Sequence, residues 1–324
     1  MNSGPVVGII TNMNSKKNKS GRYRKEVLQP ILGDLGVVID TYSLEEMSEA
    51  VAKLREMNIT FLGVNGGDGS LQKVLTEWIR QGGEESIPRI IPLAGGSTNA
   101  LILYTKRRAE PPTVTLKKFV RKFQTYSLLY MENNLLKVTL NGEDIPPQYG
   151  ITFANGVIYK FVELYLSNNK PGIRWVLRTI MEVIGGITMR IEKYLYYLEK
   201  INAQVTVDDK KYPSNQILAS ILSTLKTPFP TLTVFRNIER NVDQFYYIVT
   251  DLKFPTVLNN IHNIFFGMGE VVKGPNSGEF WIGAANRVIE RTREGFMLDG
   301  ELYKPAECED IIIESGPTIT LTVI

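Results

Sequence analysis

Asp68 is a carboxylate set inside a glycine-rich turn, Val64-Asn65-Gly66-Gly67-Asp68-Gly69-Ser70. The run ahead of it, Ile59-Thr60-Phe61-Leu62-Gly63-Val64, is short, apolar and partly β-branched, the pattern of a buried parallel strand. Behind it Leu71, Val74, Leu75, Trp78 and Ile79 recur at helical spacing, so a helix is predicted to start near Ser70. Glycines let the backbone approach a bulky anion, and the N–H groups at a helix start can bind phosphate. A carboxylate in such a turn repels the anion unless a divalent cation or a proton transfer takes part. The alternative is a tight strand-to-helix turn with Asp68 as the helix cap.

A second turn repeats the pattern. The apolar strand Arg89-Ile90-Ile91-Pro92-Leu93 runs into Ala94-Gly95-Gly96-Ser97-Thr98-Asn99, followed by the apolar Ala100-Leu101-Ile102. Ser97, Thr98 and Asn99 can donate hydrogen bonds to phosphate oxygens beside another helix start. A third opening follows the first strand, Val6-Val7-Gly8-Ile9-Ile10, where Thr11-Asn12-Met13-Asn14-Ser15-Lys16-Lys17 suits a phosphate contact or a solvated loop. In a parallel sheet all three would open at the carboxyl ends of the strands, where open α/β folds bind ligands.

The elements that must position these residues change character near residue 130. Up to about Thr125, short apolar strands alternate with amphipathic helices such as Leu44 to Met57 and Leu71 to Arg80, which predicts a parallel sheet covered by helices. From Ser127 onward strands dominate: Ser127 to Met131, Leu135 to Leu140, Tyr149 to Ala154, Ala203 to Val207, Gln216 to Leu222, Phe245 to Thr250, Gly278 to Ala284 and Thr318 to Ile324. Asn141-Gly142 is a hairpin signal, and the whole run predicts a largely antiparallel sandwich.

Composition narrows the class. The 324 residues fit two domains better than one, and a net charge of +3 is too small to argue for nucleic acid. The single cysteine, Cys308, excludes an internal disulfide framework, and the single histidine, His262, argues against a histidine-rich metal site. We read His262 as a helix-surface residue. The N-terminus lacks the pattern of a signal peptide. Trp175 to Ile191 comes nearest to a membrane span, but Arg178, Glu182 and Arg190 interrupt it. A cytoplasmic protein is expected.

Gly66-Gly67-Asp68-Gly69-Ser70 resembles the signature of the diacylglycerol kinase catalytic-domain superfamily, which includes bacterial lipid kinases, sphingosine kinases and ceramide kinases. Ser70 stands where that family usually has threonine. Pro92-Leu93-Ala94-Gly95-Gly96-Ser97-Thr98-Asn99-Ala100-Leu101 is similar to its second signature, with Ala100 in place of the acidic residue of the usual bacterial form. Leu298-Asp299-Gly300-Glu301 matches its third, and Phe153-Ala154-Asn155-Gly156 resembles the strand that opens its second domain. The blocks follow the family order over nearly the whole chain.

The resemblance implies an α/β nucleotide-binding domain with a parallel sheet over 1–126 and a C-terminal antiparallel β-sandwich over 127–324, with the active site in the cleft between them. It implies ATP and Mg²⁺ as cofactors. The implied catalytic residues are Asp299 and Asp68, and both are candidate metal ligands; whether Asp299 is the general base or a magnesium partner stays open. The nucleotide would be held by Asn12, Gly66, Gly67, Asp68, Gly69, Ser70, Gly96, Ser97, Thr98, Asn99 and Glu301. Read without the resemblance, Asp299-Gly300-Glu301 is an ordinary hairpin turn.

Some positions depart from the family pattern. Gln72-Lys73 replaces an asparagine-glutamate pair. Asn241-Val242-Asp243-Gln244-Phe245 retains only Asp243 of an Asp-Gly turn tied to structural magnesium in bacterial members. Ser223-Thr224-Leu225-Lys226-Thr227-Pro228 replaces a glycine-rich turn. These changes argue against a structural magnesium site and raise an unusual substrate or a weakened kinase as alternatives.

The stretch Lys170 to Lys200 combines Trp175, Leu177, Ile180, Met181, Ile184, Ile187, Met189 and Ile191 with Arg174, Arg178, Arg190 and Lys193 around a Gly185-Gly186 break. The resemblance implies a helical region near a lipid pocket here, so the stretch reads either as an apolar lid with basic edges or as a core helix packed on the β-domain. The leading expectation is an ATP-dependent lipid kinase acting on diacylglycerol, a sphingoid base or a related lipid. Its partners would be the lipid substrate and, transiently, a membrane surface, with no nucleic acid; a homodimer is an open alternative. The other readings are an enzyme like NAD kinase and a catalytically weak nucleotide- or lipid-binding homologue.

Overall fold

The computed structural model describes residues 6–15, 17–96, 100–105, 110–142, 144–167, 173–229, 232–274, 276–304 and 310–324. By its internal contacts the chain divides into two units, Met1–Asn133 with Pro317–Ile324, and Asn134–Gly316.

In the first unit the alternating pattern folds as β1 (Val7–Asn12), α1 (Lys25–Leu32), β2 (Gly36–Thr41), α2 (Leu44–Glu56), β3 (Phe61–Gly66), α3 (Asp68–Gly82), β4 (Arg89–Ala94), α4 (Ala100–Tyr104) and α5 (Pro112–Gln124). The strands lie in the order β4-β3-β1-β2, each parallel to its neighbours. From β1 the chain goes to β2 on one side and then crosses to β3 on the other. The loops after β1 and β3 therefore part at a topological switch point, where open sheets of this kind bind ligands.

Helices α1 and α5 cover one face, where Leu28, Leu32, Leu116 and Phe119 pack on Val7, Ile9, Phe61 and Ile91. Gly8 faces the other way, and a Cβ on it would meet the Leu54 side chain of α2 at 2.7 Å. Helix α2 begins at a Ser43 cap whose hydroxyl accepts from Glu46 N at 3.1 Å, while Glu46 Oε2 accepts from Tyr42 N at 2.7 Å.

The C-terminal residues return to this unit. Leu321 stands opposite Ile90 in parallel register, Ile324 joins the core, and Lys122 Nζ donates to Val323 O at 3.4 Å. Thr318 to Ile324 thus lengthen the parallel sheet along the edge of β4 away from β3.

The second unit contains β5 (Leu129–Asn141) and, in chain order, β6 (Gln148–Gly150), β7 (Thr152–Asn155), α6 (Val157–Ser167), α7 (Ile173–Thr188), α8 (Glu192–Leu195), β8 (Ile201–Asn202), β9 (Gln204–Val207), β10 (Lys210–Lys211), β11 (Gln216–Ile217), β12 (Ala219–Ser223), β13 (Phe245–Thr250), α9 (Phe254–Asn259), α10 (Ile261–Phe266), β14 (Phe280–Ala285), β15 (Arg287–Arg291), β16 (Phe296–Leu298), β17 (Glu301–Tyr303) and β18 (Asp310–Val323). Strands β5 and β18 have residues in both units. One antiparallel sheet runs β14-β13-β12-β7-β16-β17. Its inward residues Phe153, Leu222, Phe245 and Phe296 share a core with Leu136, Val138, Val205, Val288 and Ile311 of the other sheet, which makes the antiparallel sandwich.

Details differ from the sequence reading. The two strands expected between Ser127 and Leu140 are one, because Asn133 and Asn134 are buried and Asn134 Nδ2 donates to Ser315 Oγ at 2.6 Å. The Asn141-Gly142 hairpin forms between β5 and β6, through a connection longer than two residues. Helix α7 continues through Gly185-Gly186 instead of breaking there. Gly186 makes room for the Tyr194 ring, which a Cβ would meet at 2.0 Å, and Arg190 takes the left-handed turn after the helix end. His262 is exposed on α10, as expected, and stacks on Phe266; Cys308 lies outside the described residues.

Glu290 of β15 is fully buried in this sandwich. Its Oε2 accepts from Asn155 Nδ2, while Oε1 has no hydrogen-bond partner among the described residues. Asn155 Oδ1 accepts from Ser220 N at 3.1 Å and from Ser220 Oγ at 3.0 Å. Burial pushes the Glu290 carboxyl up to about 7 from 4.5, against hydrogen bonds from Ser220 and Asn155 that pull it down. A folded pKa above the unfolded one favours the protonated protein. The contribution is full below the unfolded pKa and is lost as pH rises through about 7. Thermal unfolding should therefore show stability falling between about pH 4.5 and 7, and Glu290→Gln should flatten that slope. An unchanged slope in the variant would remove Glu290 as its source.

Candidate functional site

Strand β3 ends at Gly66 and α3 begins at Asp68, with Gly67 between them in extended conformation (φ −88°, ψ −178°). The helix starts two residues before the predicted Ser70, and Gly67, rather than Asp68, is its cap. Asp68 lies in the first turn, where the partial positive charge of a helix start favours a carboxylate. Gly69 is buried in the same turn. The first N–H groups of any α-helix have no partners within the helix, so this end of α3 offers donors for an anion.

Glycine is required here by contact rather than by unusual dihedral angles. Gly66 stands opposite Ala94 in the β3–β4 register, so the two chains leave the sheet side by side. A Cβ on Gly96 would fall 2.2 Å from Gly67 Cα, and one on Gly95 would meet Asn65 Oδ1 and Gly66 N at 2.6 Å. A Cβ on Gly66 would fall 2.4 Å from Ser70 Cβ. Gly67 differs: its Cβ would meet only Gly96 Cα, at 3.5 Å. A small pocket beside the turn is lined by Gly66, Gly67, Asp68, Leu71, Pro92 and Leu101.

Side chains from the loop after β1 tie these turns together. Asn12 Nδ2 donates to Ser70 Oγ at 2.9 Å, and Ser15 Oγ lies 3.3 Å from the same oxygen. Asn12 Oδ1 accepts from Asn14 N at 2.9 Å, so this amide holds Ser70 and its own loop in place. Lys17 Nζ donates to Ala94 O at 3.1 Å.

Two residues in this arrangement carried no role in the sequence reading. Buried Asn18 donates through Nδ2 to Asn12 O and Asn65 O, both at 2.8 Å, and Asn65 Nδ2 donates to Tyr23 O at 3.0 Å. Only the asparagine just before the glycine run hinted at this; an asparagine in a lysine-rich loop reads as solvated. Ser97, Thr98 and Asn99 lie outside the described residues.

Asp299 and Glu301 belong to the second unit. Asp299 (φ 50°) and Gly300 (φ 87°) form the two-residue hairpin turn between β16 and β17, and half-buried Glu301 opens β17 opposite Leu298. The Asp299 carboxylate is held from both sides: Thr152 N donates to Oδ1 at 2.9 Å and Ile151 N to Oδ2 at 3.0 Å. Asp299 N donates to Thr152 O at 2.9 Å. Each oxygen keeps acceptor capacity beyond these bonds.

The loop that departs from the family's structural-magnesium pattern has its own cation. Arg240 Nη1 lies within hydrogen-bond distance of Asn134 Oδ1 (2.9 Å), Asn241 O (3.2 Å), Val242 O (3.3 Å) and Gln244 O (2.5 Å), and Nη2 of Thr224 O (3.1 Å). The guanidinium thus ties this loop to Asn134 and Thr224. Among the described residues no group of three or more His, Cys, Asp or Glu gathers into a metal-sized cluster, and no helix is long and apolar enough to cross a membrane.

Residues 6–128 match the family model of the diacylglycerol kinase catalytic domain. A search of curated proteins finds no match. Among solved structures, the chain is similar to a Bacillus anthracis (strain Sterne) protein described as a candidate diacylglycerol kinase. The TM-score is 0.62 and the identity 13%, over 97% of this chain and 96% of that one. A diacylglycerol kinase from the same strain gives a TM-score of 0.58 at 12% identity, over 97% and 95% of the two chains. Residues 6–128 are thus similar to the diacylglycerol kinase catalytic domain, and the likeness in fold to the solved structures extends over nearly the whole chain.

The contact geometry separates the two glycines. Gly96→Ala should cost roughly 1–3 kcal/mol of stability, the scale of an overpacked contact, whereas Gly67→Ala should leave the melting temperature nearly unchanged. Equal thermal shifts in the two variants would contradict the close approach.

Proposed function

We propose that this chain is an ATP-dependent lipid kinase that phosphorylates a hydroxyl of diacylglycerol, a sphingoid base or a related lipid. The observation that carries this reading is the bare backbone at Gly67 and Gly96 in front of the α3 start, at the switch point of the parallel sheet. A Cβ at Gly67 would meet only Gly96 Cα at 3.5 Å, and a phosphate at helix donors needs backbone that no side chain blocks. Gly66 to Ser70, with Gly96 and the adjoining Ser97, Thr98 and Asn99, would hold the nucleotide phosphates. Asn12 would act by orienting Ser70. Mg²⁺ carried on the phosphates would neutralise their charge, and Asp68 is the carboxylate standing at that turn.

Asp299 is the proposed acceptor of the hydroxyl proton, with Glu301 beside it in the chain. Two backbone donors fix its carboxylate in one orientation, which suits a group that must meet a substrate proton. Membrane contact would be peripheral and transient, from a cytoplasmic protein. Helix α7 supports this with Met181 69% exposed and, just past its end, Met189 76% exposed, next to exposed Arg178 and Arg190.

Pure protein incubated with labelled ATP and a total lipid extract should yield a labelled lipid. Labelled NADP from added NAD, or nucleotide binding without turnover, would each replace the proposal with another reading. Calorimetric titration with ATP and Mg²⁺ should show binding lost in a folded Gly67→Val variant.

Asp299→Asn should lower kcat by roughly 10²-fold or more. It should also lower the melting temperature, because one backbone N–H then faces an NH₂ group. A lower melting temperature with kcat kept, measured well below unfolding, would reduce Asp299 to a hairpin anchor.

A further inference from the structure

Glu290 of β15 stands level with Val205 of β9 and Ile311 of β18, and it meets Asn155 and Ser220 of the facing sheet. All four are neutral, as is Phe296 of β16, which stands opposite Asn155. Among the described residues no charged group acts on the Glu290 carboxyl, and its Oε1 has no hydrogen-bond partner. An apolar side chain would fill this place without the cost of burying a carboxyl group, so packing does not account for it.

Strand β7 joins this group to the candidate site. At its start Thr152 N donates to the Asp299 carboxylate at 2.9 Å, and Ile151 N, just before it, donates at 3.0 Å. At its end Asn155 Nδ2 donates to Glu290 Oε2. About 10 Å of extended chain separates the two ends. The neighbouring β16 keeps Phe296 opposite Asn155 and Leu298 opposite Phe153, and leads directly into Asp299.

The Asn155 amide is fixed in its orientation. Its Oδ1 takes Ser220 N at 3.1 Å and Ser220 Oγ at 3.0 Å, which leaves Nδ2 for Glu290. The neutral acid accepts that bond without carrying charge into the core. The ionised carboxylate has only neutral donors and no counterion, so it must draw in water or swing away from Asn155. Either movement slackens the end of β7.

We propose that Glu290 is a positioning residue for Asp299: as the neutral acid it fixes β7 through Asn155, and when it ionises the amides at the other end of β7 loosen their hold on the Asp299 carboxylate. The effect on turnover rests on Asp299 as the acceptor of the hydroxyl proton, whereas the mechanical link does not. Burial raises the Glu290 pKa to about 7, so the hold is full at lower pH and is lost as pH rises through about 7.

Nuclear magnetic resonance of the full chain reads the link without any substrate. A hydrogen bond to a carboxylate moves an amide proton downfield. The Ile151 and Thr152 amide protons should therefore move upfield together as pH rises from about 6 to about 8, and should stay in place in Glu290→Gln, which keeps the size and neutrality of the acid. Over the same interval the ratio of kcat in the parent to kcat in the variant should fall by up to about tenfold, with KM for ATP alike in both. Parent resonances that do not titrate overturn the proposal, and that measurement needs no variant. So do resonances that titrate equally in Glu290→Gln, or an active protein whose kcat ratio is flat with pH. A titration that vanishes in the variant, in a protein that phosphorylates no lipid, upholds the link from Glu290 to β7 and counts against the proposed function alone.

Discussion

The approach of Gly67 to Gly96 is the constraint on which the rest of the site depends. Parallel strands β3 and β4, in register with Gly66 opposite Ala94, deliver two chain turns to one spot, where only hydrogens fit between them. Crowding at Gly96 and Gly66 leaves the backbone as the lining surface. The surrounding polar groups then act on the loops themselves: Asn12 holds Ser70, Lys17 holds Ala94, and buried Asn18 bridges Asn12 and Asn65. The close approach of the two turns is thus built by backbone register and kept by amides.

Carboxylates in this protein take their character from what surrounds them rather than from their place in a motif. Asp68 sits where a helix start favours negative charge. Asp299 adopts a left-handed turn and accepts two backbone N–H groups, so one side chain both closes a hairpin and has a fixed orientation. Glu290 lies deep in the sandwich beside Asn155 and Ser220, and burial holds it toward the neutral form. At the altered loop a guanidinium gathers four carbonyl oxygens and an amide oxygen, so a side chain of this chain supplies positive charge there.

The same fold is found at 13% identity in a solved structure because its requirements are mostly those of backbone and pattern. Apolar residues at strand and helix periods, and glycines where chains touch, can be met by many sequences. The side chains around that frame are free to change, as Ser70, Ala100, Gln72 and Lys73 do relative to the pattern this chain resembles.

How much was legible follows from range. The parallel sheet, the antiparallel sandwich, the helix beginning Leu44 and both glycine turns could be read from the sequence, because periodicity and glycine placement act over a few residues. The start of α3 was misplaced by two residues because a glycine cap leaves no side-chain signal. The break read at Gly185-Gly186 was a packing glycine, explicable only by the Tyr194 ring that folds over it. Asn18 and Asn65 went unassigned because a buried amide and a solvated one look alike until its partners arrive from elsewhere in the chain. The return of Pro317–Ile324 to the first unit had the same cause: an apolar strand declares that it will pair, and only tertiary contact with β4 decides where. Local elements and turns were written in the sequence, while partners distant along the chain were settled by the fold.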